Sequence, residues 1–531
     1  MSELFEKLSA YGESDYYPYH MPGHKRRLKT DTMRELAQID ITEIDGFDNL
    51  HDAQGILKRI QEEAAAAYGA EESFFLVNGS TAGILSAIST AVSPGGKIMM
   101  VRGAHKSAYH AAYLRDLQIA YLWPGVHPLF GCNLPATAKE VEEALQQTPD
   151  VQAVFIVSPT YEGLAADVKS IAEAAHKRNI PLIVDEAHGA HLGFDGRWPE
   201  SSVKQGADLV IQSLHKTLPA PTQTAILHVN GKLVDRCRLR RFLGIYQTSS
   251  PSYIFMAAME DAIATTSANR EKLFGDFWEY WKGMTESLSA CRNLIFLKEE
   301  NSDPGKLAVM DKTGFLDGEQ LYEMLLHKYH LQPEMAAGRY VLAMFTIGDT
   351  KEGYERLTKA LLEIDEYITA ERKQRTQEKL MESNDLSAKA HGTADAATQP
   401  TERGRTADAA TQPTERGRTA ATATQPTERN RIADAVTPVC IQKRTQAVTG
   451  IVRAWDASKE WVLLKDAEGK TAGEYVNLYP PGSPIIVPGE IFTKDILTEI
   501  AAYRQQGFHV QGVKEIEDDI YVSTIVYKDK K

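Results

Sequence analysis

Residues 207–230, ADLVIQSLHKTLPAPTQTAILHVN, place two apolar runs on either side of a short polar turn. The first run ends at Ser213, and His215 and Lys216 follow within three residues. Two prolines then shape the turn that leads into the second run. Continuous apolar runs of this length predict strands that are buried on both faces. A lysine at the end of such a strand requires a chemical explanation, because burial penalises its charge.

The same pattern, an apolar run that ends in polar or turn-forming residues, recurs throughout residues 70–230. Further apolar runs end in Gly, Ser, Pro or acidic residues, as in SFFLVNGS, GKIMMVRGAH, VQAVFIVSPT and IPLIVDEAH. Helix-like stretches such as TAGILSAISTAV and AKEVEEALQQ separate several of them. Strand–helix–strand repetition predicts a mostly parallel sheet with helices on both faces. We therefore predict an α/β fold for this part of the chain.

The remainder of the chain divides by composition. A break at TSSPSY interrupts a helix-rich segment, and a small α+β domain follows, with a last helix from Lys351 to about Ala370. The C-terminal part predicts a separate α+β domain, with strands in AVTGIVRAWDASKEWVLLKD and a helix from Thr493 to Gly507. The predicted boundaries are an N-terminal arm at 1–60, a large domain at 61–300, a small domain at 301–375, a linker at 376–438 and the C-terminal domain at 439–531.

The predicted linker contains an internal repeat. TADAATQPTERGR occupies 393–405 and recurs identically at 406–418, and a diverged copy, TAATATQPTERNR, fills 419–431. The perfect copies have no bulky apolar residue, so they cannot bury enough surface to offset the entropy of ordering. We therefore predict a disordered linker between the small and C-terminal domains.

Composition excludes several classes of function. The 531 residues carry a net charge of −13, which argues against a nucleic-acid or anionic-membrane partner. No apolar run reaches the ~18 residues that span a bilayer, and the N-terminus lacks a signal pattern. The cysteines lie far apart, which predicts neither a disulfide framework nor a metal site; they are Cys132, Cys237, Cys291 and Cys440. These features predict a cytoplasmic protein.

Polar clusters follow five of the predicted strands. They are NGST, AHKSAYH, SPTYEG, DEAH and SLHK. In an open parallel sheet, ligands bind beyond the carboxyl ends of the strands. We therefore expect the five clusters to form one site.

The chemistry of these clusters defines a ligand. Gly79, Ser80 and Thr81 offer hydroxyls and backbone N–H groups at the start of a helix, which suits an anion. The P-loop pattern is absent, which argues against a nucleoside triphosphate. Asp185 ends an apolar strand, where a carboxylate requires a cationic partner. Lys216, when buried, can lose its proton and form a Schiff base.

An anion site, a strand-end carboxylate and a strand-end lysine together fit pyridoxal 5′-phosphate. Asp185 is predicted to keep the pyridine nitrogen protonated, so that the ring accepts electrons from the substrate's α-carbon. His105 is predicted to stack on the ring. The phosphate is predicted to bind Ser80, Thr81, Ser213 and His215.

These motifs, together with HMPGHK near the N-terminus and YPPGSPIIVPGE in the C-terminal domain, resemble the ornithine/lysine/arginine decarboxylases of the fold-type-I cofactor class. The resemblance covers about 1–370 and 440–531, and it is to the short bacterial form without an N-terminal receiver-like domain, which includes arginine decarboxylases. It implies a fold-type-I transferase-like large domain that binds the cofactor, with the small and C-terminal domains attached.

The resemblance also implies roles for single residues. Lys216 is the lysine that bonds to the cofactor's aldehyde, and Asp185 and His105 complete the catalytic set. The ring pocket is lined by Thr160, Ala187 and His188. The family forms its site at a dimer interface, so a homodimer or higher oligomer is expected, in which Ser249 or Ser250 reaches the partner's phosphate.

The implied reaction is decarboxylation of a basic L-amino acid, with arginine ahead of lysine or ornithine. Its role, polyamine biosynthesis or acid consumption, stays open. The substrate's cationic tail requires a carboxylate. The candidates are Asp45, Asp48 and Glu490, each of which also fits a turn or a solvated surface.

Two other functions are compatible with the cofactor. One is another fold-type-I reaction such as transamination, for which Arg339, just before the strand YVLAMF, could hold the substrate carboxylate. A decarboxylase would not hold that carboxylate tightly, because this stabilises the ground state. The other is a catalytically silent cofactor-binding regulatory protein, against which the intact Lys216 argues.

Overall fold

The computed structural model describes residues 2–391, 445–479, 483–505, 509–517 and 519–527. The 13-residue repeats and Cys440 lie outside the described residues. The chain forms two compact units, Met1–Asp365 with Pro438–Lys531, and Glu366–Thr437.

The N-terminal arm is helical. It contains α1 (Glu3–Glu13), α2 (Asp31–Ile39), a 3₁₀ turn at Leu50–Asp52 and α3 (Ile56–Tyr68). One face of α1 and one face of α3 are buried in an apolar cluster shared with the later helix that contains Tyr253 and Met256. The arm is therefore part of the folded body, and the boundary predicted at residue 60 falls inside α3.

The large domain alternates strands and helices. Its elements are β1 (Glu72–Leu76), α4 (Gly79–Ala91), β2 (Lys97–Val101), α5 (Lys106–Leu114), β3 (Gln118–Leu122), α6 (Ala138–Gln147), β4 (Val151–Val157), α7 (Val168–His176), β5 (Leu182–Asp185), β6 (Leu209–Gln212), α8 (Leu214–Thr217) and β7 (Ala225–Val229), followed by α9 (Arg236–Tyr246), α10 (Tyr253–Ala268) and α11 (Arg270–Leu288).

The seven strands form one sheet in the order β1-β7-β6-β5-β4-β2-β3. All neighbouring pairs are parallel except those made by β7, which runs antiparallel to both β1 and β6. Six strands therefore point in one direction, and their carboxyl ends share one edge. The predicted α/β fold with a mostly parallel sheet is confirmed.

Close packing of α4 fixes one end of that edge. A Cβ atom at Gly83 would lie 2.6 Å from Leu76 Cδ1 and 3.0 Å from Ile211 Cγ2. Only a residue without a side chain lets the helix approach β1 and β6 this closely. The amino end of α4 is thereby held beside the carboxyl end of β6.

The small domain is a four-stranded antiparallel sheet in the order β10-β11-β9-β8. Its elements are β8 (Leu294–Phe296), β9 (Lys306–Asp311), α12 (Gly318–Glu323) with a π-helical extension at Met324–Lys328, β10 (Met335–Ala337), β11 (Tyr340–Met344) and α13 (Lys351–His391). Because β8 pairs with β9, the boundary predicted between residues 300 and 301 separates two strands of one sheet.

The C-terminal domain has two three-stranded sheets in its described residues. Its elements are α14 (Ile451–Trp455), β12 (Lys459–Leu463), a 3₁₀ turn at Leu464–Asp466, β13 (Val476–Tyr479), β14 (Ser483–Ile486), α15 (Lys494–Gln505), β15 (His509–Gln511), β16 (Val513–Ile516) and β17 (Asp519–Ile525). Ile451, Tyr475 and Val487 belong to the same buried apolar cluster as the core of the large domain.

Two sequence predictions of helix and strand are wrong. The helix predicted to end near Ala370 continues to His391, because no helix-breaking residue interrupts it. Residues 376–391 of the predicted linker are therefore helical. The segment AVTGIVRAWDASKEWVLLKD, predicted as strands, begins with α14, although β12 confirms its second half. The predicted C-terminal helix is confirmed as α15.

Candidate active site

Lys216 lies on the single helical turn α8, directly after β6. Leu214 and Leu218 anchor this turn in an apolar cluster, which leaves the lysine at the sheet edge. Its Nζ atom lies 3.0 Å from Nε2 of His188. Burial lowers the pKa of Lys216, the carboxylate of Asp185 raises it, and the charge of Lys306 lowers it again. The net effect is a lowered pKa, which favours the neutral, nucleophilic amine.

The loop after α8 is shaped by one strained residue. Gln223 has a φ angle of +86°, and its side-chain nitrogen donates to the carbonyl of Val77 at 2.6 Å. This bond ties the return segment to the end of β1. His215 donates from Nδ1 to the carbonyl of Thr224 at 2.8 Å, which closes the loop across its base.

Asp185 is the last residue of β5 and is 4% exposed. Among the described residues, its carboxylate receives a hydrogen bond from the backbone N–H of Ala187, at 3.2 Å. Burial raises the pKa of Asp185, while the ammonium of Lys216 opposes that rise. A buried carboxylate with so few donors is costly unless a cation lies against it.

The predicted anion site is a cluster of hydroxyls at the amino end of α4. The Oγ atoms of Ser80 and Ser213 lie 2.7 Å apart, so the helix start and the end of β6 meet. Thr81 is exposed on the first turn of the same helix. The free backbone N–H groups of this helix start add positive potential. These groups together suit a phosphate.

His105 occupies the N-cap position of α5, directly after the turn that follows β2. Its Nδ1 accepts from the backbone N–H of Ser107 at 3.3 Å and lies 2.8 Å from that residue's Oγ. Burial lowers the pKa of His105 to about 4, with a further contribution from the charge of Lys216. The imidazole is therefore neutral near pH 7, as stacking on an aromatic ring requires.

The three residues predicted to line the ring pocket are all buried. His188 packs against the ring of Tyr161, with centroids 4.6 Å apart. Burial and the charge of Lys216 lower the pKa of His188 well below its usual value. Thr160 follows β4, and its Oγ1 accepts from the backbone N–H of Leu164 at 3.2 Å. Ala187 follows Asp185 in the same loop.

The substrate-tail candidates have other partners in the structure. Asp48 has a φ angle of +68° and accepts four backbone N–H groups, those of Asn49, Gln54, Gly55 and Leu57. Glu490 is 1% exposed and forms an ion pair with Arg102 at 2.9 Å. Asp48 therefore caps α3 and Glu490 balances a buried arginine, so each already has a structural role, and the tail-binding role stays a prediction. Asp45 is exposed and gains no support.

Other predicted residues lie further out. Ser249 and Ser250 are exposed on the connection between α9 and α10. Arg339 occupies the turn between β10 and β11, on the wall of a solvent-open cleft of about 200 Å³. Thr160 and Glu162 line the same cleft, so it adjoins the strand-end residues.

Sequence reasoning missed a buried ion-pair cluster behind the site. Asp303 accepts from His191 Nε2 at 3.2 Å, Trp198 Nε1 at 3.0 Å, the backbone N–H of Gly305 at 2.7 Å and Lys306 Nζ at 3.3 Å. It therefore ties the small domain to the loop that carries His191. The sequence does not identify this cluster, because the partners His191 and Trp198 come from a segment more than 100 residues away.

Two further carboxylates were also missed, Glu334 near the lysine and Glu162 on the cleft. Glu334 accepts a hydrogen bond from the hydroxyl of Tyr161, and its charge raises the pKa of Lys216. Glu162 accepts from the hydroxyl of Tyr340 at 2.6 Å, and burial raises its pKa. The glutamate of the quoted motif SPTYEG was visible in the sequence, but its orientation was not.

The arrangement fits pyridoxal 5′-phosphate. Asp185 is buried and needs a cation, which a pyridinium nitrogen provides. Nδ1 of His188 is buried and has no hydrogen-bond partner among the described residues, so a polar atom of a ligand would satisfy it. Ser80 and Ser213 offer hydroxyls to a phosphate, and Lys216 offers an amine to an aldehyde.

Within the described part of the chain, no helix is long and apolar enough to cross a membrane. In the same residues, no group of three or more His, Cys, Asp and Glu side chains is placed to hold a metal ion.

Known proteins are similar to this chain in sequence and in fold. Residues 2–301 match the Orn/Lys/Arg decarboxylase major domain, and residues 430–519 match the C-terminal domain of the same family. An arginine decarboxylase of Halalkalibacterium halodurans is 28% identical over 99% of this chain and 97% of its own length. An arginine decarboxylase of Bacillus subtilis is 28% identical, with coverage of 96% and 95%.

A solved structure supports the fold. The constitutive lysine decarboxylase of E. coli superposes with a TM-score of 0.75 over 99% of this chain and 82% of that one, at 18% identity. The family match spans more than half of the chain, and the site lies within it. The chain therefore belongs to the Orn/Lys/Arg decarboxylase family and is a decarboxylase of that family.

Proposed function

We propose that this enzyme removes the α-carboxylate of arginine with pyridoxal 5′-phosphate, at the edge of the sheet where Lys216, Asp185 and His188 meet. The observation that carries the proposal is the 3.0 Å contact between Lys216 Nζ and His188 Nε2, beside a buried carboxylate. Near-full-length similarity to arginine decarboxylases supports arginine over lysine or ornithine.

Each residue has a distinct task in this proposal. Asp185 would hold the positively charged pyridine nitrogen, and Lys216 would bond to the aldehyde carbon. The phosphate would be held by Ser80, Thr81, Ser213 and His215. The bound cofactor supplies an electron sink for the bond between the substrate's α-carbon and its carboxylate. Burial lowers the pKa of His105 to about 4, so its imidazole would stack on the cofactor ring without adding a positive charge.

Lys216 and His188 are placed to move protons. The two nitrogens share one hydrogen bond, so a proton can pass between them without leaving the site. Burial lowers the pKa of both groups, so each binds its proton less tightly than a free side chain does. Lys216 would act as a nucleophile in its neutral form. When the substrate's amine displaces it, a proton lost by that amine would pass to Lys216, which would later give it to the α-carbon in place of the lost carboxylate.

Glu334 is the carboxylate that we assign to the guanidinium of the substrate. It is exposed, it is close enough to raise the pKa of Lys216, and the hydroxyl of Tyr161 orients it. Glu162 lines the same cleft but is only partly exposed, and its carboxylate is bonded to Tyr340. A planar guanidinium can donate two parallel N–H hydrogen bonds to the two oxygens of one carboxylate, a geometry that suits arginine better than lysine or ornithine.

The same proposal includes a homodimer in which Ser249 or Ser250 contacts the cofactor phosphate of the partner subunit. Both serines are exposed, on a connection that packs beside the amino end of α4 through the bond from Thr248 N–H to Asn78 Oδ1 at 3.1 Å. A role in polyamine biosynthesis and a cytoplasmic location remain predictions.

The test is a product analysis. The purified protein is incubated with the cofactor and, separately, with arginine, lysine and ornithine, and the amines are identified by mass spectrometry. The proposal is supported if arginine is converted to agmatine faster than lysine or ornithine is converted to its diamine. A diamine from lysine or ornithine as the main product would overturn the choice of arginine, and a keto acid would indicate transamination. Lys216→Ala is the matched control and must lose turnover with every substrate.

A further inference from the structure

A buried ion pair joins the C-terminal domain to the large domain beside His105. Arg102 directly follows β2, and its side chain is 4% exposed. Its Nη2 atom donates to Glu490 Oε2 at 2.9 Å and to the carbonyl of Ile485 at 3.0 Å. Glu490 in turn accepts the backbone N–H of Val487 at 2.8 Å. Both side chains of the ion pair are therefore also hydrogen-bonded to the backbone of the C-terminal domain.

Aromatic side chains of the large domain enclose the guanidinium. Nη1 of Arg102 donates to the hydroxyl of Tyr109 at 3.1 Å, and that hydroxyl donates to the carbonyl of Arg102 at 2.7 Å. The guanidinium carbon lies 4.9 Å from the centroid of the Tyr121 ring and 5.7 Å from that of Trp123. Tyr109 belongs to α5, so this cluster links β2, β3 and α5 to the C-terminal domain.

The C-terminal domain also holds α5 at a second point. Trp455, the last residue of α14, packs against Tyr113 and His110 of α5, with ring centroids 4.7 Å and 5.9 Å apart. The hydroxyl of Tyr113 donates to Asp456 Oδ1 at 2.8 Å. Tyr475 packs on Trp455, with ring centroids 4.8 Å apart, and also on His110 at 6.1 Å. Contacts with this domain therefore extend along α5.

His105 lies between these anchors. It is three residues after Arg102 and caps the helix that Tyr109 and Tyr113 anchor. The short turn between β2 and α5 has few degrees of freedom once its two ends are fixed. The position of the His105 ring is then set by the strand end on one side and by the helix on the other.

We propose that Arg102 and Glu490 are positioning residues through which the C-terminal domain holds the β2–α5 turn and presents His105 to the cofactor. The inference rests on the proposed function, since it takes His105 to contact the cofactor. It makes the C-terminal domain part of the catalytic unit, although none of its described residues is assigned to the cofactor or the substrate.

The energetics of buried ion pairs support a positioning role. Taking both charges out of water costs roughly what their attraction returns, so such a pair adds little net stability compared with apolar side chains of similar size. Its geometry is demanding, because each charge must stay within hydrogen-bond distance of its partners. The pair therefore selects one arrangement of strand, helix and C-terminal domain.

The test compares Glu490→Gln with the control Glu460→Gln. Glu460 belongs to the same domain, but its ion pair with Lys470 is half exposed. Hydrogen–deuterium exchange is measured on cofactor-free protein, cofactor affinity by visible circular dichroism, and kcat and KM separately. We expect Glu490→Gln to speed exchange across residues 102–114 and to weaken cofactor binding, each by about tenfold, as loss of one charge-assisted hydrogen bond implies. Glu460→Gln should change neither. Exchange and affinity within twofold of the unmodified protein in Glu490→Gln would overturn the inference.

A second variant covers the case in which Glu490→Gln does not fold. Arg102→Met combined with Glu490→Leu removes both charges, which preserves stability where apolar packing is good. We expect this folded protein to show the same faster exchange and weaker cofactor binding, because neither side chain can bond the carbonyl of Ile485. Unchanged cofactor binding in the double variant would contradict the inference. Failure of the unmodified protein to bind the cofactor would instead refute the proposed function, and the exchange data on cofactor-free protein would still stand.

Discussion

Nζ of Lys216 and Nε2 of His188 share a hydrogen bond of 3.0 Å between two loops that follow neighbouring strands, β6 and β5. Both groups are buried enough to have lowered pKa values, so the pair holds fewer protons than two free side chains would. Asp185, at the base of the same loop as His188, provides the opposing negative charge. The site therefore combines a reactive amine, a neutral acceptor and a buried carboxylate along two adjacent strand ends.

Asp185→Asn keeps the shape of the side chain and removes its charge. We expect cofactor affinity to fall and kcat to drop by at least about a hundredfold, the usual cost of losing one electrostatic group aimed at developing charge. Visible absorbance titration and agmatine release measure the two effects. Asp195→Asn is a suitable control, because Asp195 pairs with Arg197 in the same connection, at the surface. Full activity of Asp185→Asn would exclude a charge interaction with the cofactor.

Lys306→Met should raise the pKa of Lys216, because the charge of Lys306 is one of the factors that lower it. Asp303 keeps three other donors in this variant, His191, Trp198 and Gly305. The pKa is measured on cofactor-free protein, from the pH dependence of covalent labelling of Lys216 and peptide mass spectrometry. A labelling profile that moves to lower pH would show that this electrostatic argument has the wrong sign.

Asp303→Asn should destabilise the fold by about 3–5 kcal/mol, because it leaves the buried ammonium of Lys306 without its counter-ion. Urea denaturation monitored by tryptophan fluorescence reports the free energy of unfolding, and Trp198 lies at the site of the change. Asp317→Asn changes an exposed helix cap and should cost no more than about 1–2 kcal/mol. Equal losses in the two variants would argue against a buried ion-pair cluster.

His228→Gln should flatten the acid limb of the stability profile. His228 is fully buried, its Nδ1 lies 2.7 Å from Ser73 Oγ, and burial lowers its pKa to about 3. Because the unfolded chain binds a proton near pH 6.5, this group contributes stability above that pH and loses it as the pH falls towards 3. The unmodified protein should lose about 2 kcal/mol from this group between pH 7 and pH 5.

A variant of an exposed histidine provides the control for this measurement. His327 is exposed, so His327→Gln should keep the acid sensitivity of the unmodified protein. If His228→Gln shows the same loss between pH 7 and pH 5 as the unmodified protein, the buried neutral imidazole is not its source.

The sequence predicted the location of the site because location follows from strand direction. Apolar runs identified the strands, the polar clusters lay at their ends, and six of seven strands proved to point the same way. Lys216 and Asp185 could therefore be placed at one edge without knowing any distance. The strand β3 was missed because it lies at the sheet edge, where its residues are only partly buried and the apolar run is short.

Partnerships between distant side chains could not be predicted. Glu490 was a candidate for the substrate's tail, because the sequence does not show that Arg102, 388 residues away, pairs with it. Asp48 was another candidate, and the sequence does not show its φ angle or its four backbone donors. Asp303 gave no signal, because its donors His191 and Trp198 are more than 100 residues away. The charge of a buried side chain shows that it needs a partner, but the sequence does not show which residue is that partner.

The antiparallel direction of β7 has a consequence for how this enzyme tolerates change. Because β6 and β7 are neighbours that run in opposite directions, the segment bearing Lys216 leaves the sheet and re-enters it at the same edge within residues 213–224. A parallel successor would have required a long crossover over one face of the sheet. The spacing between the lysine loop and Asp185 is thus set by backbone pairing of adjacent strands, about 4.8 Å apart. Substitutions in helices that carry no proposed site residue, such as α6 and α7, should therefore lower the yield of folded enzyme well before they alter the turnover of the molecules that fold.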